Sequence, residues 1–171
     1  MPNLRPPNVV VVMGVAGSGK TTVGTALAAA LGWRFVDADD HHSAANVAKM
    51  ARGEPLDDDD RRLWLDELHG ITAEALARGA DLVMACSALK AHYRARLAGA
   101  DAGGRVRFVH LAGSPELFRA RLAKRAGHFM KPGMLDSQFA ALEPPAGDAL
   151  EVDAGRPVAA IVAQIRTAFA I

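Results

Sequence analysis

The sequence predicts an α/β fold, a parallel sheet covered by helices on both faces, with a glycine-rich turn behind its first strand. Three observations predict it. Short apolar, mostly β-branched runs alternate along the chain with longer helical stretches, as expected of strands buried on both sides. The first such run leads directly into GVAGSGKT, Gly14 to Thr21. The length, 171 residues, suits one domain with a single sizeable core.

Taken in order, MPNLRPP (1–7) reads as a loose tail and Val9–Met13 as a strand that is apolar at every position. Lys20–Leu31, rich in alanine and leucine, reads as a helix, and Arg34–Asp37 as the second strand. Ala44–Arg52 is a short helix. Asp58–Arg78 is a long one, because Trp64, Leu68, Ile71 and Ala75 recur at i, i+4, i+7 and i+11. Asp57 can cap it, and the acids of its first turn suit the positive end of the helix dipole. Leu82–Cys86 is the third strand, Ala88–Ala98 a helix, Val106–Leu111 the fourth strand and Pro115–Arg125 a helix. Leu135–Leu142 and Pro157–Phe169 complete the helices, with Leu150–Val152 as a strand between them. ARGEPL, GADAGGR and LEPPAGD read as loops inside one domain, and no internal repeat or low-complexity segment interrupts it.

Composition narrows the function. Half the residues are hydrophobic and 23% are charged, which is ordinary for a folded globular chain and wrong for a disordered one. Twenty basic and 19 acidic side chains leave a net charge of +1, which argues against a nucleic-acid or membrane partner. The run Val9–Val15 lacks the preceding positive cluster of a signal peptide and is too short to span a bilayer. A lone cysteine, Cys86, forbids an intrachain disulfide and fits a reducing, cytoplasmic setting.

The glycine loop matches G-x-x-x-x-G-K-[ST] with Gly14, Gly19, Lys20 and Thr21 in register. Glycines let the backbone curl until its N–H groups converge, and the following helix adds its partly positive N-terminus. Gly14, Val15, Ala16, Gly17, Ser18, Gly19, Lys20, Thr21 and Thr22 are therefore assigned to a nucleoside triphosphate, with Lys20 on the outer phosphates. The Thr21 hydroxyl is placed to ligate Mg²⁺. No guanine-reading N-K-x-D string occurs, which excludes a GTPase. A compact kinase needs an acceptor pocket and a basic lid, and both have candidates.

In FVDADDHH, Asp37 and Asp39 lie two apart; on extended chain both carboxylates face one side. The C-terminal ends of parallel strands are where such folds bind ligands, so one acid can orient Mg²⁺ while the other accepts a hydroxyl proton. Asp40 is expected to face solvent. Cys86 occupies a strand end where many P-loop enzymes keep a metal-orienting aspartate, which leaves that role to Asp37. No base is paired with the thiol, so a nucleophilic cysteine is not expected. In GEPLDDDDRRLWL, Arg61 can pair with a substrate carboxylate. In CSALKAHYR, Lys90, Tyr93 and Arg94 lie within one helical turn, so Lys90 and Arg94 compete with Arg61 for that carboxylate. His42 and His128 join the candidate substrate contacts. RARLAKRAGHFMKPGML reads as a basic lid, about residues 122–134, with Arg121 and Arg125 four apart and Gly127 and Gly133 at its ends.

The strings MGVAGSGKT, DADDHH, KMARGEPLDDDDRRLWL, CSALKAHYR and RLAKRAGHFM…LDSQFAALEPP together resemble bacterial gluconokinase of the thermoresistant type. The resemblance runs from about Val9 to Val152, and GEPLxDDDRxxWL and CSALKxxYR are its more specific parts. It implies a single P-loop kinase domain like the nucleoside monophosphate kinases, a five-stranded parallel sheet of order 2-3-1-4-5, and often a homodimer. The implied activity is ATP- and Mg²⁺-dependent phosphorylation of D-gluconate at its 6-hydroxyl, giving 6-phosphogluconate and ADP. By the same resemblance Asp39 contacts the acceptor hydroxyl, Arg121 and Arg125 are lid arginines acting on the transferred group, and Arg156 and Pro157 of the DAGRP loop lie near the adenine. Ala123 and Ala126 thin the positive charge of the lid relative to some family members. Two other readings use the same residues: a kinase for shikimate or another small metabolite, and a module that binds ATP without transferring phosphate.

Overall fold

In the computed structural model, residues 6–100, 104–125 and 132–171 are described, the last stretch beginning with backbone alone at Pro132. The element order is β1 (Val9–Met13), α1 (Lys20–Leu31), β2 (Arg34–Asp37), a 3₁₀ turn (Ala38–His41), α2 (Ala44–Ala51), α3 (Asp58–Arg78) and β3 (Leu82–Ala85). It continues with α4 (Ala91–Ala98), β4 (Val106–Ala112), α5 (Pro115–Ala123), α6 (Pro132–Ala141), β5 (Leu150–Asp153) and α7 (Val158–Phe169).

The strands form one five-stranded sheet, order β2-β3-β1-β4-β5, in which every adjacent pair is parallel. This is the order implied by the family resemblance. β1 lies at the centre, with Val11 opposite Met84 of β3 on one side and Phe108 of β4 on the other. Because side chains alternate along a strand, β1 feeds two cores. Val9, Val11 and Met13 pack with Trp64, Leu68, Tyr93 and Leu97 of α3 and α4. Val10 and Val12 pack with Val23, Leu27, Phe118, Ile161 and Ile165 of α1, α5 and α7. The result is three layers, with the carboxyl ends of β1, β2 and β3 opening on one edge. The face expected of α3 is observed: Trp64 and Leu68 are buried, and Ile71 and Ala75 pack against the same core.

The start of α3 combines a cap with a charge cluster. Asp57 accepts the Asp60 N–H, while the Asp60 side chain accepts the Asp57 N–H, a reciprocal capping box. Lys49 then pairs with Asp60 at 2.6 Å.

Several expected boundaries shift for local reasons. The chain after β2 is not extended: Asp37 caps the 3₁₀ turn by accepting the Asp39 N–H, so strand alternation does not set the direction of Asp39. The helix expected from Ala88 begins at Ala91, because Ala88 has φ 45 and Lys90 is extended. That detour turns the Ala88 and Leu89 carbonyls onto the Arg94 guanidinium. The helix expected from Leu135 starts at Pro132, a residue suited to a first helical turn, and takes in Gly133. Residues 126–131 of the expected lid, with Ala126, Gly127 and His128, lie outside the described residues. None of the helices searched among the described residues is long and apolar enough to cross a membrane.

Candidate active site

The loop between β1 and α1 is shaped by residues without side chains. Gly17 has φ 80, and a Cβ there would stand 2.9 Å from the Phe118 carbonyl oxygen. Gly19, φ 97, is the N-cap of α1 and supplies no side-chain cap, so the first N–H groups of α1 remain available to an anion. Lys20 donates to the Val15 carbonyl at 3.1 Å, folding back over its own loop. Burial holds its ammonium below the usual lysine range, opposed chiefly by Asp39 and, more weakly, by Cys86 and Asp37.

Thr21 opens α1 and Asp37 ends β2, and the Thr21 hydroxyl donates to Asp37 Oδ2 at 2.8 Å. Two hard oxygen donors thus meet beside the lysine, which suits Mg²⁺, an ion that takes few protein ligands and completes its octahedron with phosphate and water. Among the described residues no group of three or more His, Cys, Asp or Glu could hold a metal, so phosphate oxygens would have to finish the shell. Cys86, at the end of β3, is inert: burial pushes its thiol up to about 12.

A cleft of about 320 Å³ runs from this loop to the acceptor side. Ala16, Gly17, Gly19, Lys20 and Thr21 form one wall; Asp39, His42 and Arg61 belong to the other, with Arg125 at the rim. Asp39 is exposed, with its carboxylate 3.9 Å from His42 Nε2. The His42 ring stacks on Trp64 at 4.2 Å between centroids, and the Trp64 indole N–H donates to the Ala38 carbonyl at 2.7 Å. Trp64 therefore fixes both the turn that carries Asp39 and the face of His42. Burial lowers the His42 pKa, keeping the ring neutral, and its Nδ1 is buried without a hydrogen-bond partner. Arg61 donates to the Leu56 carbonyl at 2.5 Å and lies over the Tyr93 ring.

A second cavity of about 500 Å³ adjoins the first and shares Met50, Leu56, Arg61, Met134 and Gln138 with it. Lys90 lies there, paired with Asp58 at 3.2 Å. The Tyr93 hydroxyl donates to the same Asp58 carboxylate. Both lower the Asp58 pKa, the tyrosine bond first.

The structure therefore brings together Lys20, Thr21, Asp37, Asp39, His42, Arg61 and Arg125, with Lys90 one cavity away. Arg121 donates to the Ser18 carbonyl at 3.3 Å and the Ala154 carbonyl at 2.5 Å, tying the glycine loop to the loop after β5. Arg156 lies on that loop but bonds Gln164 at 2.8 Å, and Pro157 caps α7. Arg94 departs from expectation. It is 3% exposed and spends its guanidinium on the Ala88, Leu89 and Glu143 carbonyls and on Asp148, so it braces two loops instead of facing the cleft. Two contributors were not anticipated as site residues. Trp64 reads in the sequence only as part of an apolar stripe. Gln138, whose Oε1 accepts the Ala16 N–H at 2.7 Å, sits in a helix pattern with nothing to mark it.

A central strand feeding a glycine-lysine loop, acids at a nearby strand end and arginines at the end of α5 define a small P-loop kinase. A family model described as AAA domain matches residues 9–145. A gluconokinase from Gluconobacter oxydans is 47% identical, covering 83% of this chain and 79% of its own. The thermoresistant gluconokinase of Escherichia coli is 39% identical, covering 91% and 90%. The crystal structure of a gluconokinase from Sinorhizobium meliloti matches with a TM-score of 0.85 at 42% identity, over 97% of this chain and 93% of that one. The chain belongs to the gluconokinase family.

Proposed function

We propose that the protein transfers the terminal phosphoryl group of ATP to the 6-hydroxyl of D-gluconate, giving 6-phosphogluconate and ADP. One observation carries this reading: a single cleft joins the glycine loop and Lys20 to a carboxylate, Asp39, and a forked cation, Arg61. Phosphoryl transfer requires positioning and charge neutralisation more than covalent chemistry, and this wall set supplies both.

The loop amides and Lys20 hold the outer phosphates, and Arg125 at the rim adds positive charge where charge spreads in the transition state. Arg121, already bonded to the loop, holds its shape and places a second guanidinium beside it. Arg156 and Pro157 follow Ala154, the residue Arg121 grips, which supports assigning them to the nucleotide side. Thr21 and Asp37 would hold Mg²⁺, which when bound neutralises phosphate charge and orients the leaving group. Asp39 orients the acceptor hydroxyl and accepts its proton. His42, neutral and lining the cleft with its Nε2 beside Asp39, offers a hydrogen bond to a second hydroxyl. Arg61 meets the carboxylate, assisted by Lys90 from the adjoining cavity. The family resemblance also carries the homodimer into this reading, and the lone Cys86 the cytoplasmic setting.

Coupled measurement of ADP release over a panel of sugar acids, with shikimate included, tests it. Release dependent on gluconate and magnesium is expected. Equal release without acceptor, or preference for shikimate, would overturn it.

A further inference from the structure

α6 presents two stripes. Leu135 is buried and Phe139 stacks on Phe118 at 6.0 Å, facing the core. Met134, Gln138 and Ala141, at i, i+4 and i+7, line the cavities instead. Gln138 is the polar member of that second stripe besides Ser137, and it alone of these residues reaches the glycine loop, accepting the Ala16 N–H across 122 positions of sequence. Gln138 lines both cavities, so it stands at the seam between phosphate loop and acceptor pocket.

The chemistry of the group is informative. A side-chain amide has one acceptor and one two-hydrogen donor. Its acceptor is committed to Ala16, and its Nε2 has no hydrogen-bond partner among the described residues. A glutamate could accept from Ala16 but would repel both a triphosphate and a sugar acid. An apolar residue would leave the loop amide unpaired on this side. Glutamine can hold the loop with one end and donate to a neutral hydroxyl with the other.

We infer that Gln138 is a substrate-positioning residue, fixing a hydroxyl of the acceptor's polyol chain in register with the glycine loop; the inference rests on the phosphotransfer reading above. The group acts on the acceptor more than on ATP, and that distinction is measurable. Gln138→Met keeps the length and removes both hydrogen bonds. Its KM for gluconate should rise about tenfold, the worth of one neutral hydrogen bond, while KM for ATP stays within about twofold. In the wild-type protein holding a non-hydrolysable ATP analogue, gluconate should move the Gln138 side-chain amide signals in ¹⁵N–¹H spectra. Equal rises in both KM values, no rise in either, or amide signals unmoved by saturating gluconate would each overturn the assignment. Wild-type turnover in the same assay reports separately on the parent reading: an active wild type with an unaffected Gln138→Met variant removes only the role of Gln138, whereas an inactive wild type removes the parent reading itself.

Discussion

Arg61 and Arg94 are both candidate cations for the substrate carboxylate, one on α3 and one on α4, yet the structure gives them opposite work, and paired substitutions should separate them. Arg94→Met removes a buried cation that four acceptors surround: the Ala88 carbonyl at 2.9 Å, the Leu89 carbonyl at 3.2 Å, the Glu143 carbonyl at 3.1 Å and Asp148 at 3.0 Å. The methionine fills the space but leaves those acceptors without their donor. Asp148 is half exposed and can be rehydrated, so the cost comes chiefly from the three backbone carbonyls left without their donor, about 3–5 kcal/mol together. For a domain of this size that corresponds to a fall in melting temperature of roughly 6–20 °C, a large part of a typical total stability. Arg61→Met loses the bonds to the Leu56 carbonyl and the Tyr93 hydroxyl and the stacking on the Tyr93 ring, all at a half-buried site, so its melting temperature should fall less. Its KM for gluconate should rise about 10–100-fold through the lost charge-assisted contact. Differential scanning fluorimetry and steady-state kinetics on both variants decide the matter. An Arg94→Met variant that melts with the wild type but binds gluconate poorly would refute the structural role argued for it.

Other consequences follow from the same geometry. Asp39→Asn should lower kcat by about 10²–10⁴-fold while leaving ATP affinity near wild type; unchanged turnover in rapid-quench assays removes Asp39 as the proton acceptor. Asp37→Asn weakens the oxygen pair formed with Thr21, so the magnesium concentration for half-maximal activity should rise several-fold, and an unaltered magnesium titration contradicts that pairing. Burial lowers the pKa of both His42 and His110 from 6.5. Well above pH 6.5 both rings are neutral folded or unfolded. Below it the unfolded chain takes up protons that the fold resists, so stability falls by at most about 1.4 kcal/mol per pH unit for each ring, until the lowered folded pKa is passed. Urea unfolding between pH 7.5 and 5 should show this decline, and His110→Gln should make it shallower; an equally steep curve in the variant contradicts the assignment.

Much of this was legible in the sequence because the decisive signals were local. Val9–Met13 is apolar, mostly β-branched and short, the pattern of a strand buried on both faces, and the spacing of glycines, lysine and threonine behind it marks a phosphate-binding loop. Asp57 and the acids after it announced a helix start. What escaped was set by tertiary contacts. The turn after β2 depends on Asp37 accepting a backbone N–H two residues on and on Trp64 holding the Ala38 carbonyl from a helix 26 residues away. Arg94 is indistinguishable from Lys90 in CSALKAHYR, and its role follows from Glu143 and Asp148 arriving from another loop. Gln138 had no local signature, since its partner is the backbone of a loop at the far end of the chain.

The phosphorylated product tests the central claim most directly. Incubating the purified protein with ATP, magnesium and gluconate and following ³¹P–¹H correlation spectra should reveal a phosphomonoester coupled to the C6 methylene protons, growing in step with ADP. A spectrum with only inorganic phosphate and ADP, or an ester on another carbon, would contradict the account of how this cleft aligns its two substrates.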